Sequence, residues 1–396
     1  MKKISGDGII NNIIAMRKKE IIMFILLIFI MSVFVLFANS CNKKDDISLI
    51  FDKKTVNELE DIVIEKMIYQ GYEIPGMIVG IWTPDQGKWV QAFGNAKLNP
   101  ITGMTVDKGF RIGSVTKTFT ATVILQMVDK GQIDLDETIN NLGFNDVHNS
   151  DMITVKQLLN MTSGLPDYTH DEEFIDAFLN NPTNVWTPQE LVDMAMVRPV
   201  NFQPGENYEY CNTNYILLGM IIEEISGSSY ESMVESNIIE PLGLTNTFFP
   251  EVPYLNEDFC SGFSINNEMD IYNGTVMDPS FAWSAGGMVS NLEDMSLWAR
   301  ALGKGTLLSN QSQQERMTWN SFSGEDDPYI KYCLGGFWYS DIFYGHTGVA
   351  RGYSDAIYYM PSTETVFVIM ANADYADIDN IFQKLSTVIY PEYVEW

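Results

Sequence analysis

Val56, Leu59, Ile62, Val63 and Met67 recur at helical spacing through residues 54–70, and Gly71 ends the run, so a helix is expected there. Two short apolar runs follow, 77–82 and 88–93, joined by Thr83-Pro-Asp-Gln-Gly87, which signals a β-hairpin. The stretch Phe110-Arg-Ile-Gly-Ser-Val-Thr-Lys-Thr-Phe-Thr120 reads as a strand end, a turn at Gly113 and a helix beginning near Ser114. That helix continues to about Lys130 and stops at Gly131.

From Asp134 the texture changes. Helical segments at 154–161, 171–179, 188–196 and 215–225 alternate with breaks at Gly164-Leu-Pro166, Asn181-Pro182 and Gln203-Pro-Gly205. Another helix at 230–239 is closed by Pro241-Leu-Gly243. After Ser284-Ala-Gly-Gly-Met-Val-Ser290, residues 292–302 read as helix, 342–344, 353–359 and 365–371 as strands, and 378–389 as a closing helix. Strands at both ends with helices between them predict an α+β fold: one sheet built from both ends of the chain, with a mostly helical region inserted. No internal repeat or low-complexity segment interrupts this organisation.

Composition narrows the partners. The 396-residue chain has 46% hydrophobic and 12% aromatic residues, enough for one large domain or two interlocked ones. Its formal net charge of -28 repels phosphate backbones, which excludes nucleic acid as a partner. The basic residues Arg17, Lys18 and Lys19 precede an apolar run at 21–38 broken only by Ser32, the layout of an export signal, with Met16 as a second candidate start. The run also approaches the roughly 30 Å of bilayer hydrocarbon, so an uncleaved anchor is the alternative. Ala38-Asn-Ser-Cys41 before Asn42-Lys-Lys-Asp-Asp46 resembles a bacterial lipoprotein cleavage box. The expectation is therefore a signal peptide or membrane anchor over 1–40, lipidation at Cys41, a tether over 41–53, and a body exported to the outer side of the cytoplasmic membrane.

Of the other cysteines, Cys211, Cys260 and Cys333, a disulfide between Cys260 and Cys333 is left open. The three histidines, His148, His170 and His346, form no His-Glu-x-x-His, and neither a metal nor a cofactor is expected.

Three stretches carry chemistry. Ser114 falls in a first helical turn, where free N–H groups and the helix dipole favour negative charge. Lys117, three residues on, shares its face, and burial beside the apolar run 121–127 is the means of lowering its pKa by the roughly 3 units a neutral base requires. Alone, Ser-x-x-Lys is also read as a serine cap with a solvated lysine. In Asn207-Tyr-Glu-Tyr-Cys-Asn212, Tyr210 and Asn212 sit two apart on an expected loop, where a phenol can relay a proton and an amide can hold Lys117 and a substrate carbonyl; aromatic packing and a helix cap are the plain alternative. Tyr344-Gly-His-Thr-Gly-Val349 reads as a strand with small residues along which a substrate backbone can lie.

In that order the three stretches resemble the penicillin-recognising serine hydrolases, the family of class C beta-lactamases and D-alanyl-D-alanine carboxypeptidases with related esterases and D-amino-acid peptidases. The resemblance runs from about residue 62 to 389. It also includes Gly131-Gln-Ile-Asp-Leu-Asp136, Leu158-Leu-Asn-Met-Thr-Ser-Gly-Leu-Pro-Asp-Tyr168, Asn212-Thr-Asn214 with Leu218-Gly219, and Ser284-Ala-Gly-Gly287. It implies an antiparallel sheet flanked by helices, from about 54–133 and 284–390, beside an all-helical subdomain at about 134–283, with the site between them.

It further implies Ser114 as the acylated nucleophile, Lys117 and Tyr210 as the proton-transfer pair, and Asn212 as their positioner. His346, Thr347 and Gly348 line the docking strand, and the N–H groups of Ser114 and Val349 form an oxyanion hole. Two features depart from relatives: His346 stands where class C beta-lactamases have lysine, and no Glu-x-x-Leu-Asn supplies the deacylating glutamate of class A enzymes. Arg351 is expected either to clamp a substrate carboxylate or to be a solvated turn residue. Tyr168, Phe281 and Trp283 are expected to wall the pocket or to be core.

The leading expectation is an envelope-tethered D-alanyl-D-alanine carboxypeptidase-like hydrolase acting on a small peptide, such as a peptidoglycan stem peptide, or on an ester. An esterase, a weak beta-lactamase and a non-catalytic envelope binding module are the alternatives.

Overall fold

The two ends of the chain meet in one sheet. Its strands are β1 (Gly76–Thr83), β2 (Gly87–Leu98), β3 (Ile101–Gly103), β4 (Ile330–Tyr332), β5 (Phe337–Tyr339), β6 (Phe343–Ala350), β7 (Tyr353–Met360) and β8 (Thr365–Ala371). They run antiparallel in the order β4-β5-β6-β7-β8-β1-β2-β3, so that β1 pairs with the last strand, Val368 opposite Gly80. The computed structural model describes residues 51–266, 269–322 and 329–394. The expected export signal or anchor, most of the tether and the lipidation at Cys41 lie outside the described residues. Among the described residues, no helix is long and apolar enough to cross a membrane.

Strands β7 and β8 are buried along their whole length because helices cover both faces. Successive side chains of a strand point to opposite faces. Tyr358 stacks on Phe382 of the helix Ile378–Ile389 at 4.0 Å between ring centroids. The neighbouring Tyr359 packs against Gly303 of the helix Leu292–Lys304, where an added Cβ would lie 2.1 Å from the ring. The second helix therefore covers the face from which the active site is built.

On that side the helix Thr116–Asp129 is buried almost throughout, its polar side chains included, and the hydroxyls of Thr118, Thr120 and Thr122 bond to backbone carbonyls. It packs against Asn212–Ser226 and Trp283–Gly286. Residues 134–283 supply most of the remaining helices, including Val155–Leu159, Glu172–Asn180 and Pro188–Met196. Thr154 with Gln157 and Thr187 with Glu190 form capping boxes, which is why these helix starts were legible.

Several expectations change. The inserted region is not purely helical, since the strands Phe263–Ile265 and Ile271–Asn273 form a hairpin inside it. The helix expected at 230–239 is α-helical only to Val234 and continues as a π-turn, Glu235–Ile239. Strands β4 and β5 and the helix Asn310–Met317 were not anticipated. Cys211, Cys260 and Cys333 are all buried free thiols, so the Cys260–Cys333 bridge is not formed. Cys260 Sγ faces the Gly109 carbonyl beside β7, whereas Cys333 Sγ faces Met317 and Lys331 next to β4, three strands away.

Candidate active site

Ser114 lies in a single 3-10 turn, Gly113–Val115, that feeds the helix Thr116–Asp129. Strand β6 runs directly against this turn. A Cβ on Gly113 would sit 2.7 Å from the backbone nitrogen of Val349, and one on Gly348 would sit 2.1 Å from the Ile112 carbonyl and 3.2 Å from the Ser114 nitrogen. Gly113 also has φ +47, so two requirements exclude any side chain there. The contact brings the backbone of Ser114 beside that of Val349, the pair expected to hold an oxyanion. Strand β5 pairs with β6 only as far as Gly345, whereas β7 pairs with it through Ala350. Residues 346–350 thus have a sheet partner on one side only.

Lys117 is fully buried, and its Nζ has three oxygen neighbours: Ser114 Oγ at 3.0 Å, Asn212 Oδ1 at 2.7 Å and the Ala285 carbonyl at 2.8 Å. Two of these can only accept. A neutral amine has two N–H groups and one lone pair; the two carbonyls take the N–H groups, and the lone pair is left for the Ser114 hydroxyl proton. Burial pushes the Lys117 pKa down to about 7, with the nearby charge of Asp167 opposing the shift. The neutral form is thus well populated at neutral pH. The Tyr210 ring lies beside the lysine, its centroid 4.9 Å from Lys117 Nζ. Burial holds the phenol well above its ordinary pKa, so it stays protonated and can donate.

His346 is buried under β5, its ring centroid 5.2 Å from that of Phe337 and 6.3 Å from that of Tyr210. Burial first and the Lys117 charge second push it down to about 3. The imidazole is therefore neutral. Its Nδ1 faces the Thr347 carbonyl and must carry the proton, which leaves Nε2 to accept from Tyr332 at 3.2 Å. Thr347 is partly exposed, and Val349 is 62% exposed beside the open strand edge.

Asn212 is not on a loop, as its sequence context suggested, but opens the helix Asn212–Ser226. Its backbone N–H and Nδ2 donate to Asp167 Oδ2 at 2.8 and 2.9 Å. Asp167, the Ala285 carbonyl and Tyr332 had been given no role. The first two lay inside matched stretches, while Tyr332 belongs to a strand too short to announce itself.

Of the expected pocket walls, Phe281 is partly buried and packs on Phe178 with ring centroids 4.7 Å apart. Tyr168 is a core residue: its hydroxyl donates to the Phe281 carbonyl at 2.7 Å and its ring packs on Phe174. Trp283 lines a separate cavity with Val185, Phe249 and Glu231, and its Nε1 donates to Glu231 at 2.8 Å. Arg351 is partly buried and forms no salt bridge among the described residues, although Asp374 lies within its electrostatic reach. Its guanidinium lies 5.2 Å from the Tyr272 ring and 5.8 Å from that of Phe178, and its Nε donates to Tyr272 Oη at 3.3 Å. Neither aromatic neighbour was identified from the sequence. No group of three or more His, Cys, Asp or Glu side chains able to hold a metal occurs among the described residues.

The chain as a whole is similar to known proteins. "Protein flp" of Staphylococcus aureus is 26% identical over 340 residues, which is 83% of this chain and 66% of that protein; the chain thus spans slightly less than two thirds of that relative. A D-stereospecific amidohydrolase from a Streptomyces species superposes with a TM-score of 0.74 at 31% identity, covering 86% of this chain and 97% of the other. D-amino acid amidase from Ochrobactrum anthropi SV3 gives a TM-score of 0.75 at 25% identity, covering 86% of this chain and all of the other. The Beta-lactamase family model matches residues 59–385. With Ser-x-x-Lys, Tyr-x-Asn and His-Thr-Gly all falling inside that span, the chain belongs to the Beta-lactamase family of penicillin-recognising serine hydrolases.

Proposed function

We propose that this chain is a serine acyl hydrolase that cleaves the amide bond of D-amino-acid peptides through a Ser114 acyl-enzyme, in the manner of a D-alanyl-D-alanine carboxypeptidase. One observation carries this reading: the three-oxygen environment of Lys117 Nζ, which aims its lone pair at Ser114. The solved relatives support the substrate class, since both are named for D-configured amides.

The hydroxyl proton of Ser114 passes to Lys117 as Oγ bonds to the acyl carbon. Negative charge on the former carbonyl oxygen is held by the N–H groups of Ser114 and Val349, each such donor being worth roughly 100- to 1,000-fold in rate. Tyr210 protonates the leaving amine as the C–N bond breaks and recovers a proton from the Lys117 ammonium. Water then attacks the acyl carbon, giving a proton to the same pair; the C–Oγ bond breaks, that proton returns to Ser114 Oγ, and the carboxylic acid product leaves. The substrate lies along the open edge of β6, and Arg351 receives a carboxylate. The export signal or anchor and Cys41 complete the reading as an envelope-tethered enzyme acting on stem-peptide-like substrates.

The same apparatus opens esters, so an esterase is the second reading. Beta-lactam turnover is weak because His346 supplies a neutral ring where a cation would hold the drug's carboxylate. An intact Ser114, Lys117, Tyr210 and Asn212 weighs against a binding module without catalysis. A fluorescent penicillin or fluorophosphonate should label the purified protein, and Ser114→Ala should abolish labelling; labelling that survives refutes the mechanism. Turnover of a D-Ala-D-Ala peptide, a D-amino acid amide, a p-nitrophenyl ester and a cephalosporin, compared side by side, assigns the substrate.

A further inference from the structure

The lone pair of Lys117 can face Ser114 only while both other neighbours of Nζ are acceptors. The Ala285 carbonyl belongs to the backbone and cannot change character. Asn212 is different. Its carboxamide has an oxygen end and an NH2 end of nearly the same shape, and rotation by half a turn would present two donors to Lys117. The amine would then have to accept from Asn212, and the lone pair would be drawn away from the serine.

Asp167 prevents this. It is 3% exposed, and as a carboxylate it only accepts. Its Oδ2 takes Nδ2 of Asn212 at 2.9 Å together with the Asn212 backbone N–H at 2.8 Å, and its Oδ1 takes the backbone N–H and the hydroxyl of Thr169, both at 2.9 Å. Four donors fix the carboxylate. The loop carrying it is tied to the Asn212 helix again, since Thr213 Oγ1 donates to the Pro166 carbonyl at 2.8 Å and accepts from the Tyr168 N–H at 3.1 Å. Arg198 Nη1 adds a bond to the Asp167 carbonyl at 3.3 Å.

We propose that Asp167 is a positioning residue for the acylation step: by locking the Asn212 carboxamide with its oxygen toward Lys117, it sets the direction of the lysine lone pair. It touches neither substrate nor nucleophile and acts only through Asn212. The inference rests on Ser114 and Lys117 being the nucleophile and base proposed above. The titratable groups around Lys117 are Asp167, Cys211, Tyr210, Tyr215 and His346; among them Asp167 is the carboxylate.

The test uses the full-length protein and the rate of fluorophosphonate labelling as a function of pH, with thermal unfolding as the check on folding. Asp167→Asn keeps the shape but lets that side donate as well as accept, so Asn212 can invert. Labelling should slow by roughly 10- to 100-fold, the value of one misdirected hydrogen bond. The acidic limb should also move to lower pH, because the charge that favoured the lysine ammonium is gone. In an Asn212→Ala background, Asp167→Asn should slow labelling at the pH optimum no further. Should Asp167→Asn fail to fold, Asp167→Ser, which frees the amide by shortening the arm, takes its place in the same cycle.

Wild-type rates with an unmoved limb, or losses that multiply in the double variant, overturn the inference. If Ser114→Ala or Lys117→Ala still labels at full rate, the underlying reading fails instead. If both controls are silent while Asp167→Asn is normal, only the role of Asp167 falls.

Discussion

The phenol of Tyr332 donates to Nε2 of His346 across 3.2 Å, and the opposite ring nitrogen donates to the Thr347 carbonyl. The imidazole is thus held in one neutral tautomer, and its pKa of about 3 removes it from titration near neutrality. On the proposed mechanism the acidic limb of activity belongs to Lys117, whose pKa is lowered to about 7. Labelling of Ser114 should rise with pH through about 7 and then level off, and the midpoint should survive in His346→Gln. A midpoint lost with the imidazole would assign the limb to His346.

A buried lysine that must be neutral costs stability. Its folded pKa of about 7 lies below the ordinary 10.5, so between these values the unfolded chain holds the proton that the folded one has given up. Stability therefore rises with pH across that window, and the penalty is full at pH 7 and below. Lys117→Met should abolish labelling yet unfold at a higher temperature, with a gain of at most about 4 kcal/mol near pH 7 that shrinks toward pH 10. Denaturant unfolding of both proteins at several pH values measures this.

Asp355 presents the opposite sign. It sits on β7 opposite Gly348, fully buried, and neither carboxyl oxygen has a hydrogen-bond partner among the described residues. Burial alone holds its pKa well above the model-peptide value of 3.8. The folded protein keeps this proton while the unfolded chain loses it, so stability is present below about pH 4 and declines as pH rises above it. Asp355→Asn should match the wild type at the acid end and exceed it progressively toward neutral pH. Equal stability at every pH would mean that the carboxyl has found a partner.

On the proposed reading, Arg351 separates anionic from neutral substrates. Its guanidinium lies near the rings of Phe178 and Tyr272 and is tied through Nε, which leaves its outer N–H groups for a planar carboxylate. Arg351→Ala should raise KM by roughly tenfold or more for a peptide ending in a free carboxylate and leave amide or ester turnover nearly unchanged. Lys117→Ala should instead slow all of them by roughly 100- to 10,000-fold.

Much of this organisation was legible before any coordinates. The helices Pro188–Met196 and Ile378–Ile389 follow their expected limits because a capping box or a clear apolar stripe marks them. Lys117 is hydrogen-bonded to Ser114 and Asn212, and the Tyr210 ring lies against it. What the pattern concealed has physical causes. Asn212-Thr-Asn214 looks like a polar turn, yet it begins a helix, because Asp167 receives the first N–H group in place of a side-chain cap. Tyr168 resembles a pocket wall, but its hydroxyl finds a buried carbonyl and the ring goes inward. Strands β4 and β5 have three residues each, too few for an alternation to be seen. Asp167 has no periodicity at all; only the amide it holds gives it meaning.

The bare contact between Gly113 and Val349 also ties the turn that carries Ser114 to a strand far along the chain. A truncated chain ending before β6 would hold Ser114, Lys117 and Tyr210 without the backbone that lies against that turn.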